Sequence, residues 1–366
     1  MNMTDPSYHI NTISVERSCL QRPYTQEILQ RATGVPISIV DDHAVPEIET
    51  PYPQSLQQGK RHLHLCVNRG KFFKPCPGTR EYRCCDYQVL NIGMNCPMDC
   101  VYCILQAYMN NPWLSYFVNT EDLISELDVA FTAQPDRFFR IGTGEFTDSL
   151  ALDRLTGLSR ILISYMRDKK NAVLELKTKT AMVDNLADLD HGGRTVISWS
   201  LNSPAIMSRE ELRTASLDER LDAAVRCANR GYKLAFHFDP IVYHPGWQEG
   251  YAQTISKLFA SVPAEKIVWI SMGALRFLPS LKDIAVKRFP GSRFFYEEFI
   301  TGLDGKSRYF RTLRVELYQH LYQQLRKYVA KKTCVYLCME SEEIWRDAGI
   351  PGNPALLPAM LDKAIA

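Results

Sequence analysis

Short apolar runs alternate with amphipathic stretches from Tyr87 onward. Six of these runs have the length and apolar content of buried strands: YQVLNIGM, FFRIGTG, AVLELKTK, TVISWSLN, KLAFHFDP and IVWISMG. Parallel strands need a long crossover between them, so this alternation predicts a parallel sheet wound by right-handed helical connections. A closed eight-stranded barrel and an open six-stranded one both suit the pattern. Six repeats favour an α/β fold with a partial (β/α)6 barrel of the TIM type, and the chemistry is then expected at the carboxyl ends of its strands.

Helical spacing is clearest in three stretches between the runs, EDLISELDVAFTAQ, SLALDRLTGLSRILISYMRDKK and SLDERLDAAVRCANRG. The last has Ser216 in the N-cap position, Glu219 three residues later and Gly231 after its final turn. These residues form a capping box and a glycine stop signal. They predict a helix that begins after Ser216 and ends before Gly231.

The pattern divides the chain into three regions. Residues 1–85 are expected to form an irregular, cysteine-bearing extension, with proline in ETPYPQ and KPCPG and one short strand at Leu63–Val67. Residues 86–292 hold the barrel. Residues 293–366 are expected to form a small α/β region with a long helix through Lys331 and a strand at Thr333–Met339.

Composition narrows the class of protein. With 366 residues and 46% hydrophobic residues, the chain can bury a full core. The formal net charge of +2 does not indicate a nucleic-acid binder, so any such contact must come from a local patch. The N-terminal residues lack the pattern of a signal peptide, and no apolar stretch reaches the roughly 18 residues of a membrane span. We therefore expect a cytoplasmic protein without a membrane partner.

Cysteine is unusually frequent, with eleven residues in the chain. Reducing compartments keep cysteines as thiols, so a local cluster of them points to metal or redox chemistry rather than to disulfides. Most of them lie in one part of the sequence: Cys66, Cys76, Cys84, Cys85, Cys96, Cys100 and Cys103.

The tightest group is CPMDCVYC, in which Cys96, Cys100 and Cys103 have Cys-x3-Cys-x2-Cys spacing just after the first barrel strand. Three thiolates on one loop can hold three irons of a [4Fe–4S] cubane and leave the fourth iron open for a small chelating molecule. Structural zinc sites usually have four ligands, and no fourth Cys or His follows at typical spacing. The motif therefore favours a [4Fe–4S] cluster over zinc.

This motif on the first loop of a partial barrel resembles the signature of the radical S-adenosylmethionine (AdoMet) superfamily. Within it, the chain is similar to the spore photoproduct lyase family. The similar segments run in the same order, namely CVYCILQ, YFVNTEDL, TDSLALDRLT, KTKTAMVDNL, SLN, RGYKLAFHFDPI and HPGWQEGY. The resemblance implies that the cluster and AdoMet are the cofactors. It also implies that a 5′-deoxyadenosyl radical takes hydrogen from a substrate, which in this family is damaged thymine in DNA.

The resemblance assigns several residues to the AdoMet site. Glu145 in GTGE matches the position that contacts the methionyl amino group, and Lys179 in KTK matches a lysine that meets the cofactor carboxylate or ribose. The remaining positions are expected beside the adenine or along the cofactor site: Tyr102, Ser200 and Asn202. Each of them is equally compatible with an ordinary strand-end or buried polar residue.

Two departures from the family concern the return of hydrogen to the substrate. The family's cysteine after the second strand aligns with Glu145 or an immediate neighbour, and no cysteine lies between Cys103 and Cys227. The tyrosine that follows the last cluster cysteine is replaced by Ile104. Neither side chain donates a hydrogen atom as a thiol or phenol does. A replacement donor, such as Tyr108 or Tyr116, would then be needed.

Two residues at the end of the fifth strand, His237 and Asp239 in HFDP, are candidates for substrate binding or acid–base catalysis at the barrel mouth. A histidine on a strand is otherwise often a hydrogen-bonded structural residue. The family pattern has a small residue at Asp239, which indicates a different substrate.

Further cysteines suggest a second site. Four thiols that precede the motif would suit another cluster or a metal ion, or would simply be buried: Cys66, Cys76, Cys84 and Cys85. Cys334 and Cys338 are expected in the core.

The segment Lys306–Arg314 mixes basic and aromatic residues. By the resemblance it corresponds to a hairpin that contacts DNA, where basic groups bind phosphates and an aromatic ring stacks on a base. The residues expected there are Lys306, Arg308, Tyr309 and Arg311. The alternative is a solvated start of a helix.

The main hypothesis is thus a radical AdoMet enzyme of the spore photoproduct lyase type, reduced by a reductase or by a flavodoxin or ferredoxin. One alternative is a radical enzyme that modifies a peptide or a small metabolite. Another is a non-catalytic iron–sulfur electron-transfer protein. The sequence leaves the oligomeric state open.

Overall fold

The structure is a computed structural model that describes residues 5–44, 46, 48–78, 82–109 and 111–365. The strands in this part of the chain are β1 Thr12–Glu16, β2 Ile37–Val40, β3 His62–Cys66, β4 Phe73–Pro75, β5 Gln88–Leu90, β6 Gly93–Met94, β7 Asp99–Cys100, β8 Leu114–Phe117, β9 Phe139–Gly142, β10 Ala172–Thr178, β11 Thr195–Ser200, β12 Glu211–Leu212, β13 Lys233–Ile241, β14 Ile267–Ala274, β15 Arg276–Phe277, β16 Ile300–Thr301, β17 Ser307–Arg308 and β18 Cys334–Leu337.

The α-helices of the same ranges are α1 Pro23–Arg31, α2 Ser55–Gly59, α3 Leu105–Tyr108, α4 Thr120–Ala133, α5 Asp153–Thr156, α6 Leu158–Met166, α7 Pro204–Glu210, α8 Leu217–Asn229, α9 Trp247–Ser261, α10 Pro279–Arg288, α11 Arg311–Leu325, α12 Glu342–Asp347 and α13 Leu357–Ile365. Short 3-10 turns lie at Pro6–His9, Arg17–Cys19, Asp184–Leu186, Ala264–Lys266 and Pro354–Leu356.

The central sheet confirms the predicted partial barrel. The six apolar runs form β5, β9, β10, β11, β13 and β14, which lie side by side in this order and pair in parallel. β10, β11 and β14 are buried along almost their whole length, as expected for parallel strands that are covered on both faces. β18 adds a parallel strand beyond β14, and β4 adds an antiparallel strand beyond β5.

The N-terminal region is more regular than the sequence predicts. Its strands β1, β2 and β3 pair in parallel, and β3 confirms the strand predicted at Leu63–Val67. The same sheet continues through β8 and β6, which come from residues after 85. The prediction of an irregular extension is therefore corrected, because short strands in a proline-rich stretch find pairing partners far along the chain.

The predicted helices form where the apolar spacing places them. α8 begins with the predicted capping box, since the Ser216 hydroxyl accepts from the Glu219 N–H and the Ser216 N–H donates to the Glu219 carboxylate. The stretch predicted after the second strand is split into α5 and α6. The residue between them is Gly157, whose φ of 62° is left-handed.

The C-terminal residues complete the barrel rather than forming a separate region. The predicted strand is β18, and the long helix is α11, which ends at Leu325 rather than at Lys331. β16 and β17 form a hairpin that pairs with β15. No helix in the described ranges is long and apolar enough to cross a membrane.

Candidate active site

One cavity of about 370 Å³ lies at the carboxyl ends of the barrel strands. Parallel barrels expose their reactive side chains at this end, and the volume is in the range of small-molecule sites. Cys96, Cys100 and Cys103 line the cavity together with four predicted cofactor residues, one from the cysteine loop and three from the ends of β9, β10 and β11. Those residues are Tyr102, Glu145, Lys179 and Ser200.

The loop that carries the cysteines is held by backbone pairing. β7 pairs antiparallel with β12, which places Cys100 opposite Glu211. The side-chain amide of Gln106 donates to the carbonyl oxygens of Cys100 and Val101 at 3.1 and 3.0 Å. The loop is therefore fixed from both sides before any cluster binds.

A buried ion cluster adds to this support. The Asp99 carboxylate lies 3.1 Å from the Lys60 ammonium and 2.9 Å from the Arg288 guanidinium, and all three side chains are buried. Burial acts to raise the pKa of Asp99, but the two cations outweigh it and the pKa is lowered. A charged Asp99 thus joins the cluster loop to α2 and α10.

The cavity suits a [4Fe–4S] cluster with a small chelating ligand. In the described ranges no three Cys, His, Asp or Glu side chains converge on a single metal ion. A cubane does not require such convergence, because each thiolate binds a different iron. Burial raises the pKa of Cys100 to about 12, and iron binding would displace its proton.

Lys179 is oriented by a buried polar network. Its ammonium lies 2.6 Å from the Tyr102 hydroxyl and 3.1 Å from the Glu211 carboxylate. Tyr102 donates to the same carboxylate, and Arg220 binds the other oxygen of Glu211 at 2.6 Å. Burial acts to raise the pKa of Glu211, but Lys179 and Arg220 reverse this and lower it to about 2. Lys179 therefore presents a positive charge to the cavity.

The other predicted cofactor residues occupy two layers. Glu145 and Ser200 line the cavity itself. Asn202 lies behind it, only 1% exposed, where its amide donates to the Pro240 carbonyl at 2.8 Å and accepts from the Tyr251 hydroxyl at 2.6 Å. Its place supports a role in shaping the loops rather than in direct contact.

Comparison with known proteins shows which family has this sequence and fold. The sequence profile of the family described as spore photoproduct lyase matches residues 8–341. The chain belongs to the spore photoproduct lyase family. It is accordingly a radical AdoMet lyase, whose cofactors are a [4Fe–4S] cluster and AdoMet.

Individual relatives of this spore photoproduct lyase family member cover most of its length. The enzyme of Bacillus subtilis is 27% identical over 319 residues, which are 85% of this chain and 90% of the relative. The enzyme of a Geobacillus species is 25% identical over 327 residues, or 86% and 94% of the two chains. A solved structure of a spore photoproduct lyase double mutant with bound AdoMet and dinucleoside spore photoproduct has a TM-score of 0.81 at 23% identity, and it covers 90% of this chain and 98% of the other. This likeness shows the same fold.

His237 and Asp239 take different positions in this family member. His237 is buried, and its two ring nitrogens lie 2.6 Å from the Ser271 hydroxyl and 2.7 Å from the Glu175 carboxylate. It does not line the cavity. Asp239 does, and it accepts two hydrogen bonds of 3.1 Å from Arg276. The structure therefore brings only Asp239 to the barrel mouth.

The four thiols of the predicted second site do not form one group of metal ligands among the described residues. Cys66 lies in β3 of the N-terminal sheet, where its thiol donates to the Tyr116 carbonyl at 3.8 Å. Burial raises the pKa of Cys76, and the nearby Glu145 and Cys338 raise it further. Cys338 is half-buried and packs against the hydrophobic core, with Arg276 Nη2 3.6 Å from its sulfur.

The remaining two thiols are adjacent in sequence and contact each other. A hydrogen bond with Cys85 lowers the pKa of the exposed Cys84 to about 6. The pair belongs to the loop before β5 and makes no single-ion site with the other described residues.

The predicted DNA-contacting residues are mostly buried by the hairpin of β16 and β17. Arg308 is 2% exposed and binds Asp304 at 2.6 Å, and the Tyr309 hydroxyl accepts from the Tyr243 N–H at 3.1 Å. Lys306 lines the cavity. Arg311 remains accessible at the start of α11, where it pairs with Asp347.

Four functional positions escaped the sequence prediction. Glu211 and Arg220 hold Lys179, and Arg276 binds Asp239. Their partners lie at least nine positions away in the sequence, and no local motif marks them. Asp148 was also missed, although its place in TDSL beside the second strand is a usable signal. Its carboxylate accepts from the Lys179 N–H at 2.9 Å.

Proposed function

We propose that this enzyme repairs a thymine-derived photoproduct in DNA, in the manner of the relatives named for that activity. The observation that carries the proposal is that the three cysteines of the motif line one cavity together with Glu145, Lys179 and Ser200. The similar solved structure, a spore photoproduct lyase double mutant with bound AdoMet and dinucleoside spore photoproduct, supports it.

The cavity residues divide between cofactor and substrate. Cys96, Cys100 and Cys103 would hold the cluster, and the bound cluster with AdoMet would supply the 5′-deoxyadenosyl radical of this superfamily. Lys179 carries the charge that suits a carboxylate, and Glu145 the charge that suits an ammonium group. The apolar side chains that line the cavity help to exclude water from a reactive intermediate: Met98, Ile104, Leu105, Leu275 and Met339.

The hairpin is proposed as the DNA contact, with its residues in two roles. Arg308 and Tyr309 are too buried to reach a phosphate or a base, so they fix the hairpin against the barrel. Arg311 at the surface remains to bind a phosphate. Lys306 is 8% exposed and lies 3.8 Å from Asp304, so it can contact only a group that enters the cavity. Leu303 at the hairpin tip is 80% exposed and offers an apolar contact beside them.

The proposal includes a one-electron donor, a reductase or a protein of the flavodoxin or ferredoxin class. All eleven cysteines are free, and both free thiols and an iron–sulfur cluster suit a reducing compartment. We therefore expect the protein to work in the cytoplasm.

The test is made on anaerobically reconstituted protein with dithionite, AdoMet and a spore-photoproduct dinucleotide. Thymidine dinucleotide and 5′-deoxyadenosine are quantified together, and formation of both supports the proposed repair. The Cys100→Ala variant is the control, because loss of one ligand removes the cluster. It is expected to retain little iron and to form neither product.

Other outcomes point to the alternatives. Formation of 5′-deoxyadenosine without repair would refute the substrate and favour a peptide or small metabolite. A cluster that is reduced without forming either product would favour electron transfer. Stoichiometric iron in Cys100→Ala would refute the ligand assignment.

A further inference from the structure

The cavity must supply a hydrogen atom to the substrate after the lesion is opened, if the proposed function is right. Lesion cleavage leaves a carbon radical on thymine, and thiol S–H and phenol O–H bonds are the protein groups weak enough to quench it. Ile104 stands where the family pattern has a phenol, and Glu145 or an immediate neighbour stands where it has a thiol. Both Ile104 and Glu145 line the cavity, and neither can donate a hydrogen atom in this way.

The groups that line the cavity leave few candidates. Its thiols are those of Cys96, Cys100 and Cys103, which the proposed function assigns to the cluster. Its phenols are Tyr102 and Tyr108. Tyr102 is 8% exposed, and its hydroxyl is engaged by Glu211 and Lys179. Tyr108 is therefore the uncommitted donor among the described residues of the cavity wall.

The position of Tyr108 suits hydrogen transfer. It is the last residue of α3, the short helix that follows the cluster loop, and it lines the same cavity as the three cysteines of that loop. Its side chain is about half exposed, and its hydroxyl makes no hydrogen bond to another described residue. Burial raises its pKa, and the nearby carboxylates of Glu145 and Asp304 raise it further. The phenol therefore keeps its proton at neutral pH.

Tyr116, the other candidate from the sequence, lies elsewhere. It is buried in β8, and its hydroxyl is 2.8 Å from that of Tyr24 in the N-terminal layer. It does not line the cavity. The two tyrosines thus form a matched pair, one at the cavity and one away from it.

We propose that Tyr108 is the hydrogen donor of this enzyme. Its O–H bond breaks and a C–H bond forms on the thymine radical, which leaves a tyrosyl radical. One electron from the flavodoxin- or ferredoxin-class donor and one proton from solvent then restore the phenol. Each repair would consume one AdoMet and two electrons, the first for AdoMet cleavage and the second for the tyrosyl radical. This inference rests on the proposed function.

The first test follows the hydrogen atom. Wild-type protein is reacted with the unlabelled dinucleotide in deuterium oxide, where the phenol exchanges, and the repaired thymine is expected to carry deuterium. In Tyr108→Phe, labelled thymine should fall by about tenfold or more while 5′-deoxyadenosine stays within about twofold of wild type. Tyr116→Phe should transfer the label as wild type does.

Two further measurements distinguish loss of hydrogen donation by Tyr108 from a defect in folding or in substrate binding. Freeze-quenched wild-type protein that contains ring-deuterated tyrosine should show a tyrosyl radical by electron paramagnetic resonance, and Tyr108→Phe should lack it. The affinity of the cluster-free protein for the lesion dinucleotide should change by no more than about twofold in Tyr108→Phe.

The outcomes distinguish the two proposals. If wild type repairs the dinucleotide and Tyr108→Phe transfers the label equally well, Tyr108 is not the donor and the proposed function stands. If wild type forms no thymine under any condition, the proposed function fails and the donor assignment fails with it.

Discussion

Lys179 illustrates how single residues prepare this cavity. A lysine at a strand end is usually mobile, but here its ammonium is held by the Tyr102 hydroxyl and the Glu211 carboxylate. Glu211 in turn is fixed by Arg220, and both of these side chains are fully buried. The charge that faces the cavity is therefore positioned before a ligand binds, which lowers the cost of ordering it.

This network makes Glu211 important for stability. In Glu211→Gln the carboxylate is lost while Lys179 and Arg220 remain buried. Removing one partner of a buried ion pair typically costs about 3–5 kcal/mol, and we expect a loss of that size in the free energy of unfolding. Urea denaturation of the cluster-free protein measures it.

The matched control is Asp168→Asn, which removes an ion pair with Arg167 at the surface. The Asp168 side chain is 72% exposed, so the change should stay within about 0.5 kcal/mol. A loss below about 1 kcal/mol in Glu211→Gln would show that the network is not a stabilising unit.

Among the secondary structure elements, β7 and α8 connect the cluster loop to the barrel. β7 pairs with β12, which contains Glu211, and α8 contains Arg220. Through Arg220 and Glu211, α8 therefore supports the strand that pairs with the cluster loop.

Ser216→Ala tests the start of α8. The substitution removes the acceptor for the Glu219 N–H, and loss of such a cap usually costs about 1 kcal/mol of unfolding free energy. Thermal and urea denaturation measure the loss. Ser208→Ala near the end of α7, where the side chain is exposed, should have a smaller effect. Equal effects of the two changes would contradict the role of the cap.

The molecule as a whole carries buried carboxylates that make its stability depend on pH. Burial acts to raise the pKa of Glu175, but its neighbour His237 reverses this and the pKa is lowered to about 2, as it is for Glu211. The ordinary pKa of glutamate, 4.5, is higher than these values, so each ionised carboxylate stabilises the folded state. This stabilisation is fully present above pH 4.5 and is lost as the pH falls toward 2.

We therefore expect the free energy of unfolding to fall as the pH decreases from about 5 to 3. The loss should be smaller in Glu175→Gln, which cannot take up the proton. Asp148 and Asp153 shift in the opposite direction because burial raises their pKa, so the comparison of variant with wild type is the informative one. Equal pH dependence in the two proteins would contradict the assignment to Glu175.

Local patterns in the sequence determined the barrel strands, the α8 cap and the cluster motif. Each of these depends on neighbouring residues: runs of apolar side chains, the Ser216–Glu219 spacing and the spacing of Cys96, Cys100 and Cys103. The absence of the family's cysteine at or next to Glu145 could likewise be read from the sequence alone.

Only the tertiary structure decided which distant residues meet. Lys179 is 32 positions from Glu211, and Asp239 is 37 from Arg276, so no local period links them. In the folded chain His237 lies behind the cavity, and Arg308 and Tyr309 are buried. Tyr108 lines the cavity, whereas Tyr116 does not. The physical reason is that a polar group's role depends on what packs around it, and that packing is set by strands and helices far apart along the chain.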